Sequence, residues 1–502
     1  MLPLPWFRMP LILLLGGSLL WWLSARATRN RQVCEVVLLS FLLRALLGIS
    51  LYLISYMHWP VGESLQLGGG FWTFGVDAIG YDRYGHRLLS ALTHGEPLAY
   101  PGTAIEYYLV LAGVYGLLGS HPLCGIVLNG WLGAANALLA YLIGRRLFLE
   151  PRRALVGAGL VAFWPSSMIW SAQLLKDSLG NFLVFGVLSV AILAIQEDPT
   201  RRAGRVRWVL YCLALTLVMW AASRLRYYVG TVFSLGALVA FGTATGLILL
   251  RRRSLWRAVP YLGVLVAIVS GTLLAREIKP SRIFFPAQVG EDEQHVGHPQ
   301  DPVQGWHVEG PRLLNHAAAV AYDMTPTRMS HFREGFVSTG GRSVIDAQVN
   351  VSGLKQLLAY VPRALTIGFL APFPWQWFDR QGGAGGMRAL AGIEMVLVYL
   401  LVPAMVMGLW RLVKEGQTGG WFLITVLLLA VISLSIVVAN VGALFRLRLQ
   451  FLLPWLVVAA CGDPVKALHR LWGAITMGRF KSQPASGASA VSVSGVSLER
   501  VP

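Results

Sequence analysis

Residues 154–196 read ALVGAGLVAFWPSSMIWSAQLLKDSLGNFLVFGVLSVAILAIQ, and this stretch decides the fold. Its two apolar runs, 154–172 and 178–196, are each long enough to cross ~30 Å of hydrocarbon as a helix. Between them lies a turn whose only charges are Lys176 and Asp177. The pattern recurs in both directions, with further spans at 10–25, 33–57, 123–143, 208–222, 228–250, 258–275, 389–410, 420–439 and 445–461. The whole chain agrees: of 502 residues, 55% are hydrophobic and 13% charged, against ~25% charged in soluble domains. The expected class is an all-α polytopic membrane protein of about eleven transmembrane helices, which excludes a disordered chain and a soluble enzyme of ordinary composition.

A net charge of +18 would suggest nucleic acid in a soluble protein. Here the arginines cluster in short loops between apolar runs, so membrane topology is the simpler cause and no nucleic-acid partner is expected. Arg26, Arg29 and Arg31 form one group, Arg145, Arg146, Arg152 and Arg153 a second, and Arg201, Arg202, Arg205 and Arg207 a third. Arg251, Arg252, Arg253 and Arg257 form the fourth, and Lys466, Arg470, Arg479 and Lys481 follow the last span. All are cytoplasmic by parity if 101–118 and 357–377, with their tyrosines, prolines and tryptophans, lie along the outer surface instead of spanning. The alternative, with both segments spanning, leaves several clusters outside.

The divisions that follow are an N-terminal helix and turn (1–32), a transmembrane module (33–275) with an outer loop at 58–122, and a large outer loop with an interfacial segment (276–388). C-terminal transmembrane helices (389–465) and a basic, then disordered, cytoplasmic tail (466–502) complete the chain. Ser24-Ala25-Arg26-Ala27 imitates a signal-peptide cleavage site. A retained first helix is expected because ten spans follow, with a cleaved signal as the alternative. Cys34, Cys124, Cys212 and Cys461 fall in or beside apolar runs and suggest no disulfide framework or metal knuckle.

Chemistry then concentrates in three outer turns. In the first, Asp77, Tyr81, Tyr84 and Leu88 fall on one face of a helix and Asp82 on another. An acid just above the hydrocarbon is costly unless solvated or paired. Asp77 is therefore a candidate general base, with helix capping as the bland reading. The second turn carries Lys176, the single lysine among residues 1–278, and Asp177; the ammonium suits a phosphate contact, and the acid suits a helix start. The third turn runs from Asn440 to Arg448, where Arg446 and Arg448 would either snorkel to headgroups or grip a lipid phosphate.

The ordered set of Asp77…Tyr81, the amphipathic stretch ending Leu117-Leu118-Gly119, Asn129…Tyr141…Gly144-Arg145-Arg146, Pro165, the Asp177 turn and Asn440…Arg446…Pro454 resembles the GT-C membrane glycosyltransferases. It is most similar to the bacterial branch related to protein O-mannosyltransferases and the lipid A aminoarabinose transferase. The resemblance covers about residues 33–250, and the closing Asn440…Arg446…Pro454 is similar to the end of such chains. It implies transfer of a sugar from a polyprenyl-phosphate donor to a glycan, lipid or protein acceptor at the outer face of a bacterial inner membrane, with inversion. In that frame Asp77 is the catalytic carboxylate, and Asp177 and Asp82 are second acidic positions. Lys176, Arg446 and Arg448 bind the lipid phosphate, while Tyr81, Tyr84 and Tyr107 contact donor or acceptor. No cofactor and no metal are expected. Ala78 replaces a second acid found in protein mannosyltransferases, and Tyr100-Pro101-Gly102 replaces a Glu-Lys-Pro of the aminoarabinose branch, so the substrate is open.

The large loop carries His295, His298, His307, His316 and His331, whose spacing matches no standard zinc site. Residues 333–342 read as a loop able to close over a ligand. A lipid-linked polysaccharide polymerase or ligase is the alternative function. A transporter is weaker, because only Arg44 and Glu394 sit clearly inside spans.

Overall fold

The computed structural model describes residues 8–96, 104–148, 150–252, 254–279, 311–339, 343–378, 385–416 and 418–464. Among them nine helices are long and apolar enough to cross a membrane, and up to eleven spans result if two bent pairs each count as one. The protein is an all-α polytopic membrane protein.

Helices α1 (Arg8–Thr28) and α2 (Arg31–Tyr56) form a hairpin turned at Asn30, whose Oδ1 accepts from Gln32 N at 3.0 Å. A short antiparallel pair, β1 (Gln66–Gly68) and β2 (Phe71–Trp72), leads to the contacting helices α3 (Asp77–His94) and α4 (Ile105–Leu118). Helix α5 (Pro122–Phe148) follows as the axis of the bundle. Its Gly125, Gly130, Gly133 and Gly144 and its alanines let neighbours approach to backbone distance, as small residues do between membrane helices. A Cβ on Gly133 would come within 2.7 Å of the Arg44 guanidinium. Around α5 pack α2, α6 (Pro151–Ala162) and α8 (Asp177–Gln196). Beyond them lie α9 (Arg202–Leu225), α10 (Tyr227–Leu250) and α11 (Val259–Glu277). Leu14, Trp22, Leu46, Leu213, Leu217 and Leu250 are exposed on the outside of the bundle, as a lipid-facing surface requires.

The run 154–172 is one continuous apolar stretch in sequence, yet it folds as α6 and α7 (Pro165–Ser171) with a 51° bend. Pro165 removes a backbone donor and starts α7, which leaves carbonyls of α6 without intrahelical partners. Arg44 of α2 supplies them. It donates to the Ala162 and Ser167 carbonyls at 2.9 and 2.7 Å and to the Ser171 hydroxyl at 2.8 Å. On the other side, Glu394 accepts from Ser166 N at 2.7 Å and from its hydroxyl at 3.0 Å. Arg44 thus bridges the end of α6 and the body of α7, and Glu394 holds the first turn of α7.

The large loop contributes α12 (Arg312–Asp323) and α13 (Pro326–Thr339), then α14 (Leu354–Leu370). Arg276 pairs with Asp323, and His316 lies 2.8 Å from Glu277, so α12 is fastened to the end of α11. The expected ligand-closing loop at 333–342 is corrected as far as 339: these residues are the end of α13. Arg333 is buried and donates to the Ile436 and Asp346 carbonyls, both at 2.7 Å. Residues 340–342 lie outside the described residues, as do His295, His298 and His307. Neither α4 nor α14 is among the helices long and apolar enough to span; α14 packs along α16 (Thr418–Val437). The chain closes with α15 (Gly385–Glu415), α16, α17 (Val441–Leu447) and α18 (Leu449–Cys461), the last two bent by 58° at Arg448.

Candidate active site

Helices α8 and α10 start, and α9 ends, at the same end of the bundle, so their turns meet there with α3 and the α17–α18 bend. Four charged side chains from these turns join. Arg446 Nη1 donates to Asp77 Oδ2 at 2.9 Å, while its Nη2 and Nε donate to Asp177 Oδ2 at 2.7 and 3.0 Å. Asp177 Oδ1 accepts from Arg226 Nη2 at 2.6 Å. Arg226 also donates to the Tyr228 hydroxyl at 2.9 Å, and the Arg446 guanidinium lies 5.7 Å from the Trp170 ring centre.

Both aspartates occupy the first position of a helix, where the dipole favours an acid. Neither is the cap. The N-cap positions are Val76 and Lys176, and no side chain caps either helix. The two carboxylates differ in exposure: that of Asp77 is 44% exposed and that of Asp177 is 4% exposed. Asp77 Oδ1 makes no hydrogen bond among the described residues.

The Lys176 ammonium makes no hydrogen bond or ion pair among the described residues, and the residue is half-buried beside the cluster. Burial, and then the Arg226 guanidinium, hold its ammonium below the ordinary lysine range, against the opposite pull of Asp177. Its turn is fixed from behind by Asn129 of α5, whose Nδ2 donates to the Gln173 and Leu175 carbonyls at 2.8 and 2.9 Å. The Tyr107 hydroxyl stands 3.2 Å from the same nitrogen. Tyr81 lies edge-on to Tyr107 at 5.0 Å between ring centres, and Tyr84 stacks on Tyr108 at 5.2 Å. Burial pushes the Tyr81 and Tyr107 hydroxyls above the ordinary phenol range, so both stay neutral. The pair forms an aromatic wall behind Asp77.

Two expected site residues lie elsewhere. Asp82 was expected on a different helix face from Tyr81 and Leu88, but the buried face of α3 holds Tyr81, Asp82, Gly85 and Leu88 together. Its carboxylate accepts from the Tyr115 hydroxyl at 2.6 Å and faces His86 Nε2 at 3.2 Å, away from Arg446. Arg448 points inward instead of to a phosphate: it is 1% exposed, donates to the Gly368 carbonyl at 2.9 Å and reaches Met395 Sδ at 3.0 Å. The α17–α18 bend separates the two arginines, although one residue divides them in sequence.

Arg226 belongs to the cluster and was missed. Its signal was present: Arg224 and Arg226 are cations in a turn that parity places outside, against the positive-inside bias. Arg224 is taken up by Glu106, which leaves Arg226 for Asp177. Arg44 and Glu394 are both engaged in holding the α6–α7 break, so they give a transporter no support.

Beside the cluster opens a cavity of about 210 Å³. Tyr228, Leu447 and Phe451 line it from the site's own elements, with Met329, Phe332 and Leu434 opposite.

No known protein family matches the chain, and no curated protein matches it in sequence. Two solved structures align over most of it. One is the archaeal oligosaccharyltransferase AglB from Archaeoglobus fulgidus in complex with an inhibitory peptide and a dolichol-phosphate, at 15% identity and a TM-score of 0.45, covering 91% of this chain and 52% of that one. The other is an Archaeoglobus fulgidus oligosaccharyltransferase in the apo form, at 15% identity and a TM-score of 0.48, covering 89% and 51%. The chain therefore spans about half the length of the structures it matches.

Proposed function

We propose that the chain is an integral-membrane glycosyltransferase, which moves a sugar from a polyprenyl-phosphate donor to a glycan, lipid or protein acceptor at the outer face of a bacterial inner membrane. One observation carries the reading: a half-exposed carboxylate with a free oxygen, Asp77, is tethered through Arg446 to a cluster with more cations than anions. Lys176, Arg226 and Arg446 against Asp77 and Asp177 give 3 − 2 = +1. That surplus suits the single charge of a lipid phosphodiester, and it suits the departing lipid phosphomonoester, with ≈ −1.5 to −2 charge, better still.

The acceptor oxygen forms its bond to the anomeric carbon while the bond from that carbon to the phosphate oxygen breaks. The electron pair leaves on the phosphate, facing the cations. The acceptor proton passes to Asp77, and attack opposite the leaving phosphate inverts the anomeric centre. The leaving phosphate needs no strong general acid, because the lipid phosphate is already a good leaving group and the cations of Arg446, Arg226 and Lys176 face it. Tyr84, half-buried, offers an edge to donor or acceptor, whereas Tyr81 and Tyr107 are buried and back the site instead of touching a ligand, and the apolar cavity beside Tyr228 suits the proximal prenyl units. Incubation of the purified protein with a panel of polyprenyl-phosphate sugars, together with an extract of membrane glycans, lipids and proteins as acceptors, tests the proposal. Release of free polyprenyl phosphate from at least one donor is expected, and no release from any of them rejects it.

A further inference from the structure

Helix α10 starts next to Arg226 and runs 24 residues to Leu250. At about 1.5 Å per residue this is roughly 36 Å, enough to carry its far end to the opposite boundary of the hydrocarbon. A second cavity, of about 420 Å³, lies at that end. Three separate elements bring cations to it: Arg251 closes α10, Arg257 stands in the short 3₁₀ turn Leu255–Ala258, and Lys414 ends α15. Glu415 is the one acid among the described residues that line it, and Tyr261 and Trp421 are aromatic walls.

Neither Arg251 nor Arg257 makes a side-chain hydrogen bond or ion pair among the described residues, and Lys414 Nζ rests 4.8 Å from the Trp410 ring centre. The balance is 3 − 1 = +2 in a space far larger than the ~30 Å³ one water occupies. Orientation by positive charge asks only for arginines in a loop; it does not ask three elements to enclose a void with them. Around the mouth, Leu250 is 82% exposed, Trp256 70% and Trp410 59%, the mixture found where helices meet acyl chains and headgroups. An occupant must therefore carry an anionic group and apolar chains together.

We propose that this cavity binds the headgroup of an anionic glycerophospholipid, independently of what the opposite end of the bundle catalyses. Phosphatidylcholine cancels its phosphate with its own cation and leaves the surplus unmet, whereas phosphatidylglycerol does not. The test uses the full chain purified in detergent, with native mass spectrometry after adding either lipid at equal concentration. Phosphatidylglycerol is expected to be retained at least about tenfold better. The preference is expected to vanish in the double variant Arg251→Gln/Arg257→Gln, with the thermal midpoint unchanged because both side chains are exposed. Arg201→Gln/Arg202→Gln, at another turn of the same membrane face, is expected to keep it. Equal retention of the two lipids, or equal loss in the control pair, overturns the proposal. So does displacement by millimolar inorganic phosphate, which would make the cavity a site for the free ion.

Discussion

Arg446 and Asp77 stand 369 positions apart in the chain and 2.9 Å apart in space, Nη1 to Oδ2. The same guanidinium holds Asp177, so the first loop, the α7–α8 turn and the last bend are joined through one side chain. Loss of a charge-assisted contact costs ~1.5–3 kcal/mol, so Arg446→Ala is expected to weaken donor binding roughly ten- to hundredfold. Arg448→Ala should leave donor affinity of the folded protein intact and lower its stability, because Arg448 braces the bend from inside. Donor titration alongside thermal unfolding separates the two; equal losses of affinity would refute the assignment.

Asp82 is predicted to matter for stability and not for chemistry. Asp82→Ala strands the Tyr115 hydroxyl, which is buried and donates to it at 2.6 Å, at a cost of ~1–3 kcal/mol. Turnover per folded molecule should change less than threefold, roughly the size of effect expected away from the reacting atoms. A large loss of turnover in a normally stable Asp82→Asn protein would return Asp82 to the site.

Lys176 gives the site a pH dependence whose sign is fixed. A bound anion favours the charged ammonium, so affinity is full below the free-state pKa of Lys176 and falls as pH rises through it. That pKa is held below the ordinary lysine value of ~10.4 by burial and by Arg226, and Tyr81 and Tyr107 are pushed upward and stay neutral there. Donor affinity should therefore begin to fall at a pH below the ordinary lysine range, and Lys176→Arg should abolish that fall. Affinity flat in the wild type up to that range would count against a Lys176 contact.

Much of this arrangement was legible in the residues. The spans were, because apolar runs of sufficient length report themselves, and so were Asp77, Lys176, Asp177 and Arg446, because charges at the ends of such runs are costly without partners. What stayed hidden is three-dimensional. Pro165 and Arg448 bend their runs without interrupting apolarity, so 154–172 and 445–461 read as single spans. The bend at Arg448 then sends it and Arg446 to different surroundings. Asp82 deceived because α3 buries a broader face than the stripe through Asp77 and Tyr81, and Arg226 passed unnoticed because nothing in the residues tells which of Arg224 and Arg226 turns to Glu106 and which to Asp177.

The α6–α7 break makes its own prediction. Arg44→Met removes donors to the Ala162 and Ser167 carbonyls in a fully buried place and should destabilise the protein by at least ~2 kcal/mol. Glu394→Gln keeps one acceptor for Ser166 and should cost less. Unfolding in detergent reads both, and an inverted order would contradict the division of labour between them.

The central claim is that Asp77 takes the acceptor proton, and Asp77→Asn tests it most directly when donor binding and sugar transfer are measured on the same preparation. Asn keeps the size of the side chain, and removing one negative charge raises the surplus at the phosphate site, so donor binding should be at least as tight as in the wild type. Transfer should fall by ~10²–10⁴-fold with the loss of a general base. Full transfer by Asp77→Asn with its true donor and acceptor would contradict the account.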